Sequence, residues 1–309
     1  MNVLGVVMDP IEQCNPQKDT TLALLLEAQA RGWQIEYILP SRLFCRQDRA
    51  MALSQPLQVF NNPDKWFALR PTHEFDLAAC DVILMRQDPP FDMQYIYATY
   101  CLELAEKQGA RIINKPQSLR DANEKVVIAQ FPGCAPPFVV SQHLGILEDF
   151  LNTHEDVVLK PLDSMGGQGI MRLQTTEKET LGKLDAATHS GQKTVMLQRY
   201  LPEVVDGDKR ILLINGEPVP YALARIPQAG HLQANLAQGG HAEARELTVR
   251  DQWICTQLKS YLQEKELFFV GIDIIGDFLT EVNVTSPMGI RQLQDLTGID
   301  IAAQFFDCL

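Results

Sequence analysis

The feature that most constrains the fold is an alternation, over the first third of the chain, of short apolar runs with longer amphipathic runs. The apolar runs are 2–8, 34–39, 81–86 and 110–116, and the amphipathic runs between them include 21–31 and 95–109. Strands separated by helices predict a parallel sheet with helical crossovers, and therefore an α/β fold class. Ligands gather at the carboxyl ends of such strands, so Asp9, Arg86, Asn114 and the loop 18–21 are candidates to face a ligand.

The remaining two thirds mix short strands and helices in an α+β pattern. The run at 118–131 predicts one helix, and Asn215-Gly216 between two apolar runs predicts a hairpin. A polar loop at 226–245 is longer than most connections, which predicts a lid. We place boundaries near residues 122 and 203, which gives an N-terminal parallel domain (1–122), a central domain (123–203) and a C-terminal domain (204–309) that ends in a helix.

Composition excludes several classes of protein. The formal net charge of −12 disfavours a nucleic-acid or anionic-membrane partner. No run approaches the ~18 apolar residues of a membrane span, and the N-terminus lacks the basic residues of a signal peptide. Seven cysteines without a CxxC pair argue against a disulfide framework and against a structural zinc site. We therefore expect a cytoplasmic protein with reduced thiols.

A glycine-rich turn follows Lys160 in the stretch KPLDSMGGQGIMRL. A strand follows the turn, so the stretch matches neither the P-loop nor the dinucleotide fingerprint, each of which opens a helix. A strand, a glycine turn and a second strand suit a flap whose backbone N–H groups, at Gly166 and Gly167, close over phosphates while Lys160 neutralises them. A plain flexible hairpin with a surface lysine is the alternative.

Two acidic residues and one amide lie on neighbouring strands near the C-terminus. Glu281 and Asn283 are two apart and share a strand face, and Asp273 precedes them on an apolar strand. A two-residue turn at 276–277 would set Asp273 opposite Thr280, and a three-residue turn would set it opposite Glu281. We expect the three-residue turn, because one patch of hard oxygen donors suits Mg²⁺. Solvated polar residues on an exposed edge hairpin are the alternative.

Basic residues flank this predicted metal face. Arg210 begins one strand beside Asp208, and Arg225 ends the next. Such arginines can stabilise transferred phosphoryl oxygens or a developing oxyanion. Surface salt bridges are the alternative.

Together with Lys125, these motifs make the chain resemble the ATP-grasp ligases and, more narrowly, the bacterial glutathione synthetase family. The similarity runs over nearly the whole length, and the stretches MRQDPPFD and NKPQSLRDANEK are the most specific to the family. The resemblance implies a parallel N-terminal domain followed by two α+β domains that sandwich ATP. Members usually carry basic residues in the lid where this chain has Gln233 and His241.

The resemblance also implies a role for each site residue. Lys125 and Lys160 would hold the ATP phosphates under the amides of the flap. The adenine and ribose would lie against Gln198, Tyr200, Leu201 and Asp208. Two Mg²⁺ or Mn²⁺ ions would be held by Asp273, Glu281 and Asn283, and the acyl phosphate by Arg210 and Arg225. The dipeptide substrate would meet Thr20, Thr21 and Arg86, and glycine would meet Ser286, Arg291 and the N–H groups of the final helix.

The implied reaction joins γ-glutamylcysteine to glycine through an acyl phosphate, with release of ADP and phosphate. The family also suggests a homotetramer. Another ATP-grasp carboxylate–amine ligase, and an ATP-binding module without catalysis, are the two competing hypotheses.

Overall fold

The computed structural model describes residues 2–164, 166–227 and 241–309, which form three sheets with helices packed on them. The sheets have eight, four and five strands and follow one another along the chain. Each of the two predicted boundaries falls between successive sheets, although the division into independent domains stays a prediction. No helix in the described ranges is long and apolar enough to cross a membrane.

The first sheet has the predicted parallel centre and an antiparallel extension. Its strands are β1 (Val3–Met8), β2 (Gln34–Ile38), β3 (Leu43–Arg46), β4 (Arg49–Val59), β5 (Phe67–Leu69), β6 (His73–Asp76), β7 (Val82–Arg86) and β8 (Arg111–Ile113). β1 pairs in parallel with β2 and β7, and β7 with β8, as predicted. β4 pairs antiparallel with β2, β3, β5 and β6, which the sequence analysis missed. Buried and exposed residues largely alternate along β4, the pattern of a half-buried antiparallel strand.

Three helices belong to this part of the chain: α1 (Thr20–Ala30), α2 (Met93–Lys107) and α3 (Pro116–Asp121). Asp19 caps α1 by accepting a hydrogen bond from the Leu22 N–H at 2.7 Å. The single helix predicted over 118–131 is wrong: α3 ends at Asp121, and a separate 3₁₀ turn covers Val126–Gln130. The Asn123 side chain causes the break, because its Oδ1 accepts from the N–H groups of Lys125 and Val126 and so competes with the helix.

The second sheet is small and antiparallel. Its strands are β9 (Phe138–Ser141), β10 (Asp156–Pro161), β11 (Met171–Gln174) and β12 (Val195–Arg199), and its helices are α4 (Leu144–His154) and α5 (Thr180–Ala187). The order is β11-β10-β12-β9. Leucines and valines of these elements form a core of their own, including Leu147, Val157 and Leu184. The glycine-rich turn joins β10 to β11, so the predicted strand–turn–strand arrangement is confirmed.

The third sheet carries the C-terminal motifs. Its strands are β13 (Asp208–Ile214), β14 (Glu217–Ile226), β15 (His241–Glu246), β16 (Phe269–Ile275) and β17 (Phe278–Asn283), and its helices are α6 (Val249–Glu264), α7 (Ile290–Thr297) and α8 (Ile301–Asp307). Asn215 and Gly216 both have positive φ and join β13 to β14, which confirms the predicted hairpin. The predicted final helix is two helices, because Gly298 ends α7 in the left-handed conformation.

Two further predictions need correction, one on the lid and one on Asn114. Residues 241–246 of the predicted lid form β15, paired with β14, while Gln233 lies outside the described residues. Asn114, predicted to face a ligand, is buried: its amide donates to the carbonyls of Phe269 and Val284, at 2.8 and 2.7 Å, and its oxygen accepts from the Phe269 N–H. Asn114 therefore fastens the first sheet to the third.

Candidate active site

A cavity of about 790 Å³ lies where the three sheets meet. Sixteen of the predicted site residues line it: Thr21, Arg86, Lys125, Lys160, Gly166, Gly167, Gln198, Tyr200, Leu201, Asp208, Arg210, Arg225, Asp273, Glu281, Asn283 and Ser286. Thr20 and Arg291 do not line it. Residues that are distant in sequence thus share one enclosed space.

The β16–β17 hairpin brings the predicted oxygen donors together by a route that the sequence analysis did not foresee. Asp273 pairs with Glu281, as predicted, but the turn has two residues, since Ile275 pairs with Phe278. A bulge at Thr280 supplies the missing residue, and its hydroxyl donates to the Asp273 carbonyl at 3.1 Å. The Asn283 amide lies 3.3 Å from Asp273 Oδ2. The three side chains form one polar patch.

Two arginines neutralise Asp273, which is only 4% exposed. Arg210 donates from Nε and Nη2 to the two carboxylate oxygens, and Arg225 Nη2 lies 3.0 Å from Oδ1. Burial alone would raise the pKa of Asp273, but the two guanidinium groups outweigh it and hold the pKa below its usual range. A glycine at 271 makes room for this packing, because a Cβ there would lie 2.9 Å from Arg210 Cδ.

Asp208 is the second acid of this cluster. Arg225 Nη2 lies 2.6 Å from its Oδ2, while its Oδ1 is buried without a partner among the described residues. Burial raises the pKa of Asp208 to about 6, against the opposing effect of Arg225. The neighbouring charge of Asp273 raises it further.

Both predicted lysines lie beside the acidic patch. Lys160 Nζ is 3.3 Å from Glu281 Oε1, and Lys125 Nζ donates to Glu124 Oε1 at 2.5 Å and to the Ser164 carbonyl at 2.8 Å. Burial would lower the pKa of Lys125, but Glu281 and Glu124 outweigh it and raise the pKa, so the ammonium stays charged. Lys125 thereby links Ser164, next to the glycine flap, to Glu124.

The glycine flap has the backbone that its composition predicts. Gly166, Gly167 and Gly169 all have positive φ, a conformation that other residues adopt at a cost. At Gly169 a Cβ would also meet Pro161 Cγ at 2.9 Å. The turn is therefore specific for glycine at this position.

The second sheet also contributes to the cavity wall, through Arg172, Gln198 and the adjoining Tyr200. The Arg172 guanidinium lies 3.7 Å from the centre of the Tyr200 ring and is held there by Asp156. Gln198 is buried, and its Nε2 has no partner among the described residues. An arginine stacked on a tyrosine ring, beside an unused amide donor, fits a nucleotide base.

Comparison with known protein families shows to which family the chain belongs. The N-terminal domain profile of prokaryotic glutathione synthetase matches residues 1–120, and the ATP-grasp domain profile of the same family matches residues 124–298. The chain belongs to the prokaryotic glutathione synthetase family. It is therefore an ATP-dependent ligase with the ATP-grasp fold.

Individual relatives agree with the family assignment. The glutathione synthetase of Coxiella burnetii is 49% identical over 98% of this chain and 94% of its own length. The glutathione synthetase of Escherichia coli is 47% identical over 99% of this chain and 97% of its own length. The predicted family and activity are confirmed, and the hypothesis of a binding module without catalysis is wrong.

Solved structures resemble the chain in fold alone. A D-cycloserine synthetase superposes with a TM-score of 0.70 at 15% identity, covering 99% of this chain and 98% of its own. D-alanyl-alanine synthetase A from Vibrio cholerae superposes with a TM-score of 0.62 at 11% identity, covering 100% of this chain and 97% of its own. Both superpositions cover nearly all of each chain, so the likeness in fold extends over all three sheets.

The family resemblance implies bound metal ions, and the oxygen ligands on the β16–β17 hairpin fit magnesium. Asp273, Glu281 and Asn283 offer two carboxylates and one carboxamide, the hard oxygen ligands that Mg²⁺ prefers. Within the described ranges, no group of three His, Cys, Asp or Glu side chains is placed to hold a metal ion. The carboxamide of Asn283 is thus needed to complete the set.

Thr20, predicted to contact the dipeptide, and Arg291, predicted to contact glycine, have protein partners in the structure. The Thr20 hydroxyl accepts hydrogen bonds from the N–H groups of Gly289 and Ile290, at 3.0 and 3.2 Å. The N–H groups of Gly289 and Ile290, at the start of α7, are thereby occupied, and the binding of a carboxylate by this helix end stays a prediction. Arg291 donates to Asn61 Oδ1 at 3.2 Å.

Several cavity residues escaped the sequence analysis. Glu124, the partner of Lys125, lies in the run that was predicted as one helix, and Asp19 caps α1. Asp88 lies in a loop whose two prolines were the more prominent feature. Asp9 was predicted at the sheet edge without a chemical role. Only the spatial meeting of separate loops identifies these acids.

Proposed function

We propose that the cavity joins the cysteinyl carboxylate of γ-glutamylcysteine to the amine of glycine, with ATP as the source of energy. The single observation that carries the proposal is the meeting, in one cavity, of Lys125, Lys160, Arg210 and Arg225 with the carboxylate hairpin. Four cations beside a set of oxygen ligands suit a reaction that brings two anions together. Family membership over the whole chain supports the choice of substrates.

A free carboxylate does not acylate an amine at a useful rate, because oxide is a poor leaving group. Transfer of the γ-phosphoryl group to the carboxylate yields an acyl phosphate and ADP. Attack by the glycine amine then forms the amide bond and expels phosphate. Arg210 and Arg225, which line the cavity, would stabilise the negative charge that develops on the transferred phosphoryl group and on the tetrahedral intermediate.

The remaining residues bind and orient the substrates. Lys125 and Lys160 would neutralise the ATP phosphates under the flap, and Gln198, Tyr200, Leu201 and Asp208 would receive the nucleoside. Asp273, Glu281 and Asn283 would hold two Mg²⁺ or Mn²⁺ ions, which supply neutralisation of phosphate charge when bound. Thr21, Arg86 and Ser286 would contact the amino-acid substrates. Thr20 acts through its bonds to Gly289 and Ile290.

We further propose a cytoplasmic homotetramer. The seven thiols, free in the structure, and the need for ATP support the location, and the family resemblance supports the assembly. Sedimentation equilibrium of the purified chain tests the tetramer.

Mass-spectrometric detection of glutathione from ATP, γ-glutamylcysteine and glycine tests the reaction. Phosphate release with D-alanine in place of glycine tests the competing hypothesis of a different carboxylate–amine ligase. Phosphate release with another pair of substrates, and none with γ-glutamylcysteine and glycine, would refute the proposed specificity.

A further inference from the structure

Two cysteines that are 56 residues apart in sequence meet at the edge of the first sheet. Cys45 lies on β3, the edge strand of that sheet, and Cys101 lies on α2. Their Sγ atoms are 3.1 Å apart, within hydrogen-bonding distance. Cys45 is exposed and Cys101 is half-buried, so a small solute reaches Cys45 first. Neither residue lines the cavity, so the proposed ligase reaction does not use them.

Hydrogen bonds of Gln108, at the C-terminal end of α2, hold the elements of this cysteine pair together. Gln108 lies about two helical turns after Cys101 and so shares its helix face. The Gln108 Oε1 accepts from the Ala50 N–H at 3.4 Å, and its Nε2 donates to the Asp48 carbonyl. Ala50 is the cross-strand partner of Cys45. The packing of α2 against the β3–β4 hairpin therefore keeps the two sulfurs near each other.

The geometry of the pair allows a disulfide bond. An S–S bond is about 2.05 Å long, so the two sulfurs must approach by about 1 Å. A modest rotation about the Cα–Cβ bond of each cysteine moves the sulfurs by that amount, while the backbone stays in place. Two half-accessible thiols on packed elements thus form a site for oxidation.

The two thiols have different environments, which sets the order in which they react. Burial raises the pKa of Cys101 to about 12, and its hydrogen bond with Cys45 adds to this effect. Because the thiolate is the nucleophile in disulfide exchange, Cys101 is the poorer attacking group of the two. Cys45, which is exposed, is the thiol that attacks a small disulfide.

We propose that Cys45 and Cys101 form a reversible disulfide by exchange with a low-molecular-weight disulfide. The Cys45 thiol loses its proton, attacks one sulfur of the small disulfide and expels one thiolate, which takes up a proton. The Cys101 thiol then loses its proton and attacks the Cys45 sulfur, which closes the protein disulfide and expels the second small thiol. Two protein thiols are oxidised, and one small disulfide is reduced to two thiols.

The second step is favoured by the first. Once Cys45 is part of a mixed disulfide, its thiol no longer raises the pKa of Cys101. The attack is also intramolecular, between groups that the fold already holds together. The mixed disulfide should therefore close to the protein disulfide and not accumulate.

Glutathione disulfide is the probe for the first experiment, with the purified and fully reduced chain. The intact mass should fall by two hydrogen atoms, and a digest without reductant should contain the Cys45 peptide linked to the Cys101 peptide. Dithiothreitol should restore both thiols. An unchanged mass, a link between other cysteines, or glutathione that stays attached to Cys45 without a bridge would each overturn the inference. None of these readouts requires ligase activity, so the proposed function is tested separately.

Variants then test the order of attack. Cys101→Ser should stop at the mixed disulfide on Cys45, and Cys45→Ser should form no bridge and leave Cys101 largely unmodified. Cys308→Ser, which removes another exposed thiol, is the matched control and should form the bridge as the parent does. Attachment of glutathione to Cys101 in Cys45→Ser, as fast as to Cys45 in Cys101→Ser, would overturn the assigned order.

Thermal unfolding shows whether the bridge forms within the native fold. A crosslink between residues 45 and 101 closes a long loop and restricts the unfolded chain, so the Tm of the bridged parent should rise by about 5 °C. Cys45→Ser treated with glutathione disulfide should show no such rise. An unchanged or lower Tm in the bridged parent would show that the bridge does not fit the folded chain, and would overturn the inference.

Discussion

Asp273 on β16 and Glu281 on β17 face each other across the hairpin because the extra residue Thr280 is accommodated as a bulge. The bulge moves Glu281 to the place that a regular two-residue hairpin would give to Thr280. Glu281 thereby comes within 3.3 Å of Lys160 on the second sheet. A local irregularity in one hairpin thus joins the third sheet to the second at the reaction centre.

Replacing Glu281 by alanine should abolish most of the synthesis of glutathione. The substitution removes a proposed metal ligand and the counter-charge of Lys160, and we expect kcat to fall by about 10² or more. The measurement is glutathione formation by mass spectrometry. Glu264→Ala, an exposed position on α6, is the control and should retain activity. Full activity in Glu281→Ala would contradict the assignment of this hairpin.

Replacing Asp273 by asparagine should destabilise the protein as well as inactivate it. Arg210 and Arg225 would lose the carboxylate that they share, and removal of one partner from a buried ion pair costs about 3–5 kcal/mol. Thermal unfolding followed by circular dichroism measures the effect as a lower Tm. Asp64→Asn, at an exposed position outside the cavity, serves as the control. An unchanged Tm would show that the two arginines find other partners.

Because of Asp208, the free energy of unfolding should fall as pH rises through the neutral range. Its folded pKa of about 6 lies above the ordinary aspartate pKa of 3.8, so between these pH values the folded state holds a proton that the unfolded state has released. The stabilisation is complete below pH 3.8 and is lost as pH rises through 6. Between pH 5 and 7 the parent should lose about 1 kcal/mol relative to Asp208→Asn. Urea unfolding at both pH values measures this difference, and a gap that does not depend on pH would contradict it.

Gly169→Ala should weaken ATP binding, whereas Gly182→Ala should not. Alanine at 169 would need positive φ and would meet Pro161 at 2.9 Å, so the flap must distort. We expect the KM for ATP to rise about 10-fold. Gly182 lies in α5 with nothing within 4 Å of an added Cβ, and alanine there should stabilise the helix by about 0.5–1 kcal/mol. Equal KM values for the two variants would contradict the role of the flap.

The sequence predicted those parts of the fold that depend on periodicity and turn chemistry. The parallel strands β1, β2, β7 and β8 follow from apolar runs, and the β13–β14 hairpin follows from Asn215-Gly216. The pairing of Asp273 with Glu281 was predicted because one patch of hard oxygen donors suits Mg²⁺. These inferences use short-range rules that hold in most contexts.

The parts that could not be predicted depend on single hydrogen bonds or on long-range contacts. The Asn123 side chain breaks a helix that periodicity favours, and the Thr280 bulge changes the route to a correct pairing. The burial of Asn114 follows from its partners on β16, which are 155 residues away in sequence. The part of the cavity beside Arg86 likewise needs Asp9 and Asp88 to meet in space. No local pattern contains that information.

The hydrogen bonds of Asn114 affect how nucleotide can reach the cavity. Its three hydrogen bonds join the first sheet to the third, and these sheets carry the Arg86 end of the cavity and the carboxylate hairpin. The second sheet has its own core and supplies the glycine flap and Gln198, which is proposed to contact the nucleoside. A rotation of residues 138–199 alone would widen the cavity at the glycine flap, while the end beside Arg86 keeps its shape. Nucleotide could then be exchanged at the flap without disturbing that opposite end.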